Sequence, residues 1–212
     1  MTEQNLVLLG DSILDNAPYT RPEPDTTAHL GRLLSPDWSI RRLAWDGATM
    51  PDIPAQLARV EGRPAAAVLS IGGNDVLQHI EILGRDSAGA SGVLGDLLAI
   101  AEEFDQRYEL VARAVAERAE RTILCTIYEV RLEPEQYGRL ARVPLAILND
   151  RIIRTAARLG VDVLELRSVC TEASDFVMQI EPSARGALKI AEAITAVLRG
   201  DEMMSRGAVF SG

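Results

Sequence analysis

Three short polar motifs, each following a run of apolar residues, carry the side chains best suited to chemistry. They read "LLGDSILDN" with Asp11 and Ser12, "AWDGATM" with Gly47, and "SIGGNDVL" with Asn74. A serine at a strand end can act as a nucleophile, because backbone N–H groups there can stabilise an oxyanion. A glycine offers an unobstructed N–H, and an asparagine amide is a neutral donor for developing negative charge.

Each motif also has an ordinary structural interpretation. Asp11 and Ser12 can cap the next element, and Asn74 with Asp75 can cap a helix. Gly47 can belong to a simple turn. The functional interpretation therefore depends on whether the fold brings the three motifs together.

The elements that must position these motifs alternate between short apolar runs and longer segments with helical spacing. Strands are expected at 5–9, 38–44, 66–71, 121–127 and 161–166, and helices at 26–34, 50–60, 93–119, 143–159 and 183–198. Short apolar strands separated by helices indicate a parallel sheet covered on both faces. Ligands of such sheets bind beyond the carboxyl ends of the strands, where the three motifs lie.

Taken together, the ordered motifs GDS, DG and GGND resemble those of the SGNH (GDSL-type) hydrolase superfamily of esterases and lipases. The resemblance implies an α/β fold, a three-layer α/β/α sandwich of flavodoxin-like type with a five-stranded parallel sheet. It also implies that Ser12 is the nucleophile. The oxyanion would be held by the Ser12 N–H, the Gly47 N–H and the Asn74 side chain, with no metal or organic cofactor.

The last block of the sequence departs from that family. Where the family has Asp-x-x-His before a proline, this chain has Met178 and Glu181 before Pro182. Glutamate ordinarily has a pKa about 2 units below that of histidine, so it is a weaker base. Burial or a nearby carboxylate would raise that pKa and make Glu181 a better acceptor of the Ser12 proton. Glu181 also precedes the N-cap Ser183, where negative charge is favourable.

Four further side chains are secondary candidates. His79 follows Asn74 by five residues; it can line the site, and it is an alternative base. Asp11 is expected to brace the serine loop by hydrogen bonds. Asp15 can polarise the site or lie on a helix surface, and Tyr128, at the end of the fourth strand, can line the pocket.

Composition narrows the function classes. The chain has 212 residues, 47% of them hydrophobic, and a formal net charge of −9. This predicts one domain over residues 1–200 followed by a flexible tail at 201–212. An acidic chain without a basic patch is a poor binder of nucleic acid. Residues 84–92, "GRDSAGASG", are expected to form a solvated connection.

Several observations favour the cytoplasm. Cys125 and Cys170 lie in apolar surroundings, which is typical of reduced core cysteines. The first residues lack the features of a signal peptide, and no apolar run is long enough for membrane insertion. The oligomeric state is not readable from the sequence.

Two functions from different classes remain open. The first is an esterase or acylhydrolase that forms a Ser12 acyl-enzyme on a small-molecule ester, with small or medium acyl groups favoured by the low aromatic content. The second is a non-catalytic binding protein in which the oxyanion pocket captures an acyl, acetyl or carboxylate group. A nucleotide-binding domain is a third reading, but no phosphate-cradling glycine loop is present.

Overall fold

A computed structural model describes residues 3–84 and 89–200. The strands are β1 (Gln4–Gly10), β2 (Trp38–Arg42), β3 (Ala66–Ser70), β4 (Arg121–Cys125), β5 (Asp162–Leu164), β6 (Phe176–Val177) and β7 (Glu181–Pro182). The α-helices are α1 (Ala17–Thr20), α2 (Thr26–Leu34), α3 (Ile53–Leu57), α4 (Gly73–Leu77), α5 (Gly89–Arg118), α6 (Glu135–Leu159), α7 (Leu166–Val169) and α8 (Ala184–Arg199). Three 3-10 segments lie at Met50–Asp52, Ile80–Gly84 and Ala173–Asp175.

The main sheet has five parallel strands in the order β2-β1-β3-β4-β5. This confirms the predicted flavodoxin-like architecture. The chain winds outward in opposite directions from β1 and β3, so the crevice beyond their carboxyl ends is the expected ligand site. Ser12 follows β1 and Asn74 follows β3, which places both at that crevice.

Alternate residues of β1 face two separate cores. Leu6 and Leu8 pack against α2 and α8 on one side. Val7 and Leu9 pack on the other side against the core that α3, α5 and α6 complete. All five residues of β3 are buried, as expected for a parallel strand covered on both faces.

Several predicted boundaries differ from those of the structure. Strands β4 and β5 are shorter than expected. After β4 the chain leaves the sheet, and Ile127 and Tyr128 line the pocket; after β5 the helix α7 begins at Leu166. Helix α6 begins at Glu135 rather than 143 and continues through Pro144. Proline removes one internal hydrogen bond of a helix, so a sequence pattern places a boundary there even when packing keeps both halves aligned.

The predicted connection at 84–92 is wrong over its second half, where α5 already begins at Gly89. The stretch 89–92 contains two glycines, which are poor helix formers, so the sequence pattern predicts a loop where the helix in fact begins. The first part of that segment, at 85–88, lies outside the described residues, as does the predicted tail at 201–212.

A two-stranded antiparallel sheet, β6 with β7, was not anticipated. Two-residue strands are too short to produce an alternating pattern in a sequence. The hairpin matters because β7 contains Glu181.

Both cysteines are free and buried, which confirms the prediction of core thiols. Among the helices in the described ranges, none has the length and apolar character needed to cross a membrane.

Candidate active site

The serine loop forms a tight turn directly after β1. The Asp11 N–H donates to the Ser70 carbonyl at 3.0 Å, which ties the start of the loop to β3. The N–H groups of Leu14 and Asp15 both donate to the Asp11 carbonyl at 3.1 Å, and Ile13 N–H donates to the Asp11 carboxyl at 3.2 Å. These bonds fix the backbone on both sides of Ser12, whose side chain lies at the pocket wall.

Gly10, the residue directly before the serine loop, is held in place by Gln56. Gly10 has a φ of 129°, and a Cβ there would lie 1.7 Å from the Ser70 carbonyl oxygen, so only glycine fits. The fully buried Gln56 side chain accepts from the Gly10 N–H at 2.7 Å and donates to its carbonyl at 2.8 Å. The Gln56 amide thus replaces a neighbouring strand at the point where β2 has diverged.

Replacing Gln56 with leucine is expected to impair both stability and turnover. The change removes two buried hydrogen bonds and leaves the Gly10 N–H without its partner, while the Gly10 carbonyl keeps the Trp45 N–H at 3.2 Å. This should lower the free energy of unfolding by roughly 2–3 kcal/mol. A displaced Ser12 should lower kcat by roughly 10- to 100-fold with a smaller change in KM. Urea denaturation and steady-state kinetics at a temperature where the variant is folded measure the two effects.

A matched control is Gln106→Leu, which makes the same change at an exposed position of α5. It should leave the free energy of unfolding within about 0.5 kcal/mol of the parent value and kcat within about twofold. A Gln56→Leu variant that is destabilised but keeps its full kcat would show that Gln56 supports the fold without positioning Ser12.

The loop that carries Gly47 is held by Asp15. The Asp46 N–H donates to Asp15 Oδ2 at 3.0 Å, and Asp15 Oδ1 forms an ion pair with Arg42 at 2.8 Å. Gly47 has a φ of 78°, and its Cβ position faces open space, so its backbone is accessible. Neither Asp15 nor Gly47 lines the pocket that contains Ser12. Asp15 therefore acts on the loop rather than on the pocket.

The third motif, with Asn74 and Asp75, forms hydrogen bonds with the segment that follows β2. Asn74 Nδ2 donates to the Ala48 carbonyl at 2.9 Å, which uses one of its two N–H groups and leaves the other. Both carboxylate oxygens of Asp75 accept from the Met50 N–H at 3.2 Å. These contacts connect the Gly47 loop to α4 and keep Asn74 in the wall of the Ser12 pocket.

Glu181 is 9% exposed and lies in the same pocket wall as Ser12. Burial raises the pKa of its carboxyl above the ordinary value, a side-chain interaction with Ser12 lowers it, and the charge of Asp46 raises it, with a net rise. Its Oε2 atom has no hydrogen-bond partner in the described part of the chain. This oxygen is therefore available to a proton or a ligand.

The turn before Glu181 takes an unusual backbone conformation. Met178 and Gln179 have φ values of 48° and 71°, which non-glycine residues rarely adopt. Gln179 holds the turn through its carbonyl and side chain, which accept from the N–H groups of Arg131 and Glu133, each at 2.9 Å. Met178 is 76% exposed, so no side chain at this position supports Glu181.

Two other contacts set the position of Glu181. The Tyr128 hydroxyl donates to the Ile180 carbonyl, directly before Glu181. On the other side, the fully buried Asp175 accepts from Lys189 Nζ at 2.7 Å, and its carbonyl accepts from the Ser183 N–H at 2.9 Å. Ser183 caps α8 as predicted. The hairpin is thus clamped between Tyr128 and the start of α8.

Asp11 is a second buried carboxyl beside Ser12. It is 3% exposed, and burial raises its pKa to about 8, with smaller contributions from the charges of Glu181 and Asp75. Asp11 is therefore protonated at neutral pH. The site then contains one neutral carboxyl, Asp11, and one carboxyl with a raised pKa, Glu181.

The pocket has a polar end and a long apolar part, with a volume of about 860 Å³ including its open mouth. The polar end contains Asp11, Ser12, Asn74, His79, Tyr128 and Glu181. The apolar part lies between the 3-10 segment at Ile80–Gly84, α5 and α6. A mainly apolar lining with a few converging polar groups is typical of sites for small organic ligands.

Sequence reasoning brought most of these residues to one place but missed others. His79 is half-buried and lines the pocket. Tyr19 was missed; its hydroxyl donates to Asp46 at 2.7 Å, and the charge of Glu181 contributes to raising its pKa. Gln56 had a detectable signal, because it is a polar residue three positions after the buried Ile53, on the core side of a helical pattern. The apolar pocket wall had no signal that separates it from ordinary core.

No group of acidic, histidine or cysteine side chains within residues 3–84 and 89–200 has the arrangement needed to hold a metal ion.

The fold and this constellation define a class: parallel α/β sandwiches with a serine after the first strand and an asparagine after the third. The model of the GDSL-like lipase/acylhydrolase family matches residues 8–187. The chain belongs to this family, and ester hydrolysis by an acylhydrolase is the activity that membership supports. Among proteins with curated functions, none matches the chain.

Solved structures share the fold at low sequence identity. An extracellular lipase from Streptomyces rimosus is 16% identical, with 93% of this chain and 99% of that chain covered and a TM-score of 0.68. A phospholipase A1 from Streptomyces albidoflavus is 14% identical, with 92% of this chain and 99% of that chain covered and a TM-score of 0.71. An acetylxylan esterase from Geobacillus stearothermophilus is 18% identical, with 90% of this chain and 92% of that chain covered and a TM-score of 0.61. At these identities the likeness concerns the fold alone.

Proposed function

We propose that the protein hydrolyses carboxylic esters through a Ser12 acyl-enzyme, with Glu181 as the general base. The observation that carries the proposal is that Ser12, Asn74 and Glu181 line one pocket, and that the buried Glu181 Oε2 has no hydrogen-bond partner among the described residues. These three groups supply a nucleophile, an oxyanion donor and a proton acceptor. The proposal also uses the backbone N–H of Gly47, which lies on the loop bound by Asn74 rather than in the pocket wall.

In the first half of the reaction, Ser12 Oγ attacks the ester carbonyl carbon and its proton passes to the Glu181 carboxylate. The carbonyl oxygen becomes an oxyanion, held by the free Asn74 N–H, the Ser12 N–H and the Gly47 N–H. Collapse of this intermediate breaks the bond to the leaving alcohol, which takes the proton from Glu181. In the second half, water gives its proton to Glu181 and attacks the acyl carbonyl carbon. The bond between that carbon and Ser12 Oγ then breaks, Oγ takes the proton back from Glu181, and the acid product leaves.

A carboxylate base explains why an exposed methionine at position 178 is compatible with catalysis. A histidine base needs a carboxylate behind it to fix its tautomer and to stabilise the imidazolium that forms. A carboxylate has no tautomer, and it becomes neutral when it accepts a proton. A second carboxylate behind Glu181 would therefore bring no such benefit.

A non-catalytic binding protein is the second candidate, because the histidine and aspartate of the last block are both absent. Labelling with a small fluorophosphonate, followed by peptide mass spectrometry, separates the two. We expect Ser12 to be phosphonylated in the folded protein, and the exposed Ser39 and Ser168 to remain unlabelled under the same conditions. A folded protein whose Ser12 stays unmodified from pH 5 to 9 would contradict the acyl-enzyme and favour the binding protein.

A further inference from the structure

We infer that the apolar part of the pocket is an acyl-chain site that selects uncharged esters of medium-chain acids over acetates. The inference rests on the proposed function, because it uses Ser12 to define where the ester carbonyl lies. It adds the class of acid, which family membership leaves open.

The wall chemistry excludes a polar occupant. Beyond the polar end, the pocket is bounded by side chains of α5 and α6 such as Leu97, Ile100, Leu145 and Leu148. None of these can form a hydrogen bond, so a hydroxylated or charged chain would lose water without gaining a partner. The Tyr128 hydroxyl does not change this, because it is already committed to a backbone carbonyl.

Charge points to an uncharged ester. Among the described residues, the ionisable carboxyls of the pocket wall are Asp11 and Glu181, and no lysine or arginine is part of that wall. An anionic substrate would therefore meet a carboxylate at Glu181 without a compensating cation.

The order of events assigns the pocket to the acid rather than the alcohol. The alcohol leaves in the first half of the reaction, whereas the acyl group must stay in place while water enters. Tyr19 and Asp46 provide a polar and partly exposed region within electrostatic range of Glu181, where a leaving alcohol can meet solvent. The apolar part of the pocket is suited to the group that remains bound.

Ala141 controls the depth of the site. It is 7% exposed, lines the pocket from α6, and is a small residue beside the larger Leu145 and Pro144. A longer side chain at this position would project into the space that the acyl chain fills. The exposed Ala146 lies on the same helix and is absent from the pocket wall, so it offers a matched control.

The experiment compares p-nitrophenyl acetate, butanoate, hexanoate and octanoate in the parent and in Ala141→Leu, Ala141→Phe and Ala146→Phe. In the parent, kcat/KM should rise by about fourfold per methylene and by at least about 100-fold from acetate to octanoate. The octanoate-to-acetate ratio should fall stepwise with Leu and Phe at position 141, by at least about tenfold for Phe. It should stay at the parental value in Ala146→Phe. The leucine variant keeps the test valid if the phenylalanine variant does not fold.

A flat chain-length profile in an active enzyme would overturn the acyl-chain site while leaving the proposed esterase intact. An octanoate-to-acetate ratio that stays at the parental value in both Ala141→Leu and Ala141→Phe would also overturn the acyl-chain site. If no ester is turned over, the site is tested by NMR titration of Ser12→Ala with methyl acetate and methyl octanoate. Tighter binding of the octanoate, lost on adding Ala141→Phe, would support the site and reject the esterase. Equal binding of the two would overturn the inference.

Discussion

Replacing Glu181 with glutamine is expected to lower kcat/KM for ester hydrolysis by about 10²- to 10⁴-fold, mainly through kcat. Glutamine keeps the size of the side chain but cannot accept the Ser12 proton. The Oε2 atom makes no hydrogen bond in the described structure, and the glutamine amide can still interact with Ser12, so the stability of the fold should change little. Steady-state kinetics with a p-nitrophenyl ester and thermal unfolding measure the two quantities.

Two companion variants sharpen this test. Glu181→Asp keeps the carboxylate but shortens its reach, so its activity should lie between those of the parent and Glu181→Gln. Glu102→Gln makes the same chemical change at an exposed position of α5 and should be as active as the parent. A Glu181→Gln enzyme with parental kcat would refute the role of Glu181 as base, and loss of activity in His79→Ala would then assign that role to His79.

Ionisation of Asp11 is expected to produce an alkaline limb in the pH profile. Its pKa is raised to about 8 by burial first and by Glu181 and Asp75 next. Below that pH the carboxyl is neutral, and above it a negative charge appears beside Ser12, where the oxyanion must form. Activity should therefore rise through the raised pKa of Glu181, reach a plateau, and fall by roughly 10-fold or more above about pH 8.

Asp11→Asn should remove the alkaline limb, because asparagine has the shape of the protonated carboxyl and never ionises. It can still accept the hydrogen bond from the Ile13 N–H. Asp75→Asn is the matched control, since burial raises the pKa of Asp75 as well. Rate profiles from pH 5 to 10 that keep the alkaline limb in Asp11→Asn and lose it in Asp75→Asn would transfer the limb to Asp75.

Stability gives an independent readout of the same group. The folded-state pKa of Asp11 lies above its unfolded value, so folding favours the protonated form. The stabilising contribution is complete below about pH 4 and is lost as the pH rises to about 8. The melting temperature of Asp11→Asn relative to the parent should therefore increase by several degrees between these pH values. A difference that does not vary with pH would contradict a buried, titrating Asp11.

Five short apolar runs separated by helical patterns were enough to predict a five-stranded parallel sheet covered on both faces. Parallel strands end at a common edge, so residues that directly follow β1 and β3 must lie close together wherever the loops run. For this reason Ser12 and Asn74 were placed at one crevice without coordinates. Glu181 was placed there by comparison with a family pattern, and the structure puts it in the same pocket wall.

Tertiary packing decided the burial and the hydrogen-bond partners of the side chains around the site. The pKa of Asp11 is raised by burial, and burial depends on the helices that cover the loop. The Asp15 carboxylate holds the Gly47 loop because Arg42 and the Asp46 N–H converge on it from other parts of the chain. Neither environment has a signature in local sequence, since both arise from residues distant along the chain.

The sequence alone determined which chemistry is available: a serine at a strand end, an amide donor, and a glutamate where a histidine is usual. Only the tertiary structure decided that the apolar part of the pocket adjoins these three groups. Residues such as Leu97 and Leu145 follow the same helical periodicity whether they fill a core or line a pocket. The difference depends on whether the neighbouring elements meet or leave space between them, and that is a property of the assembled fold.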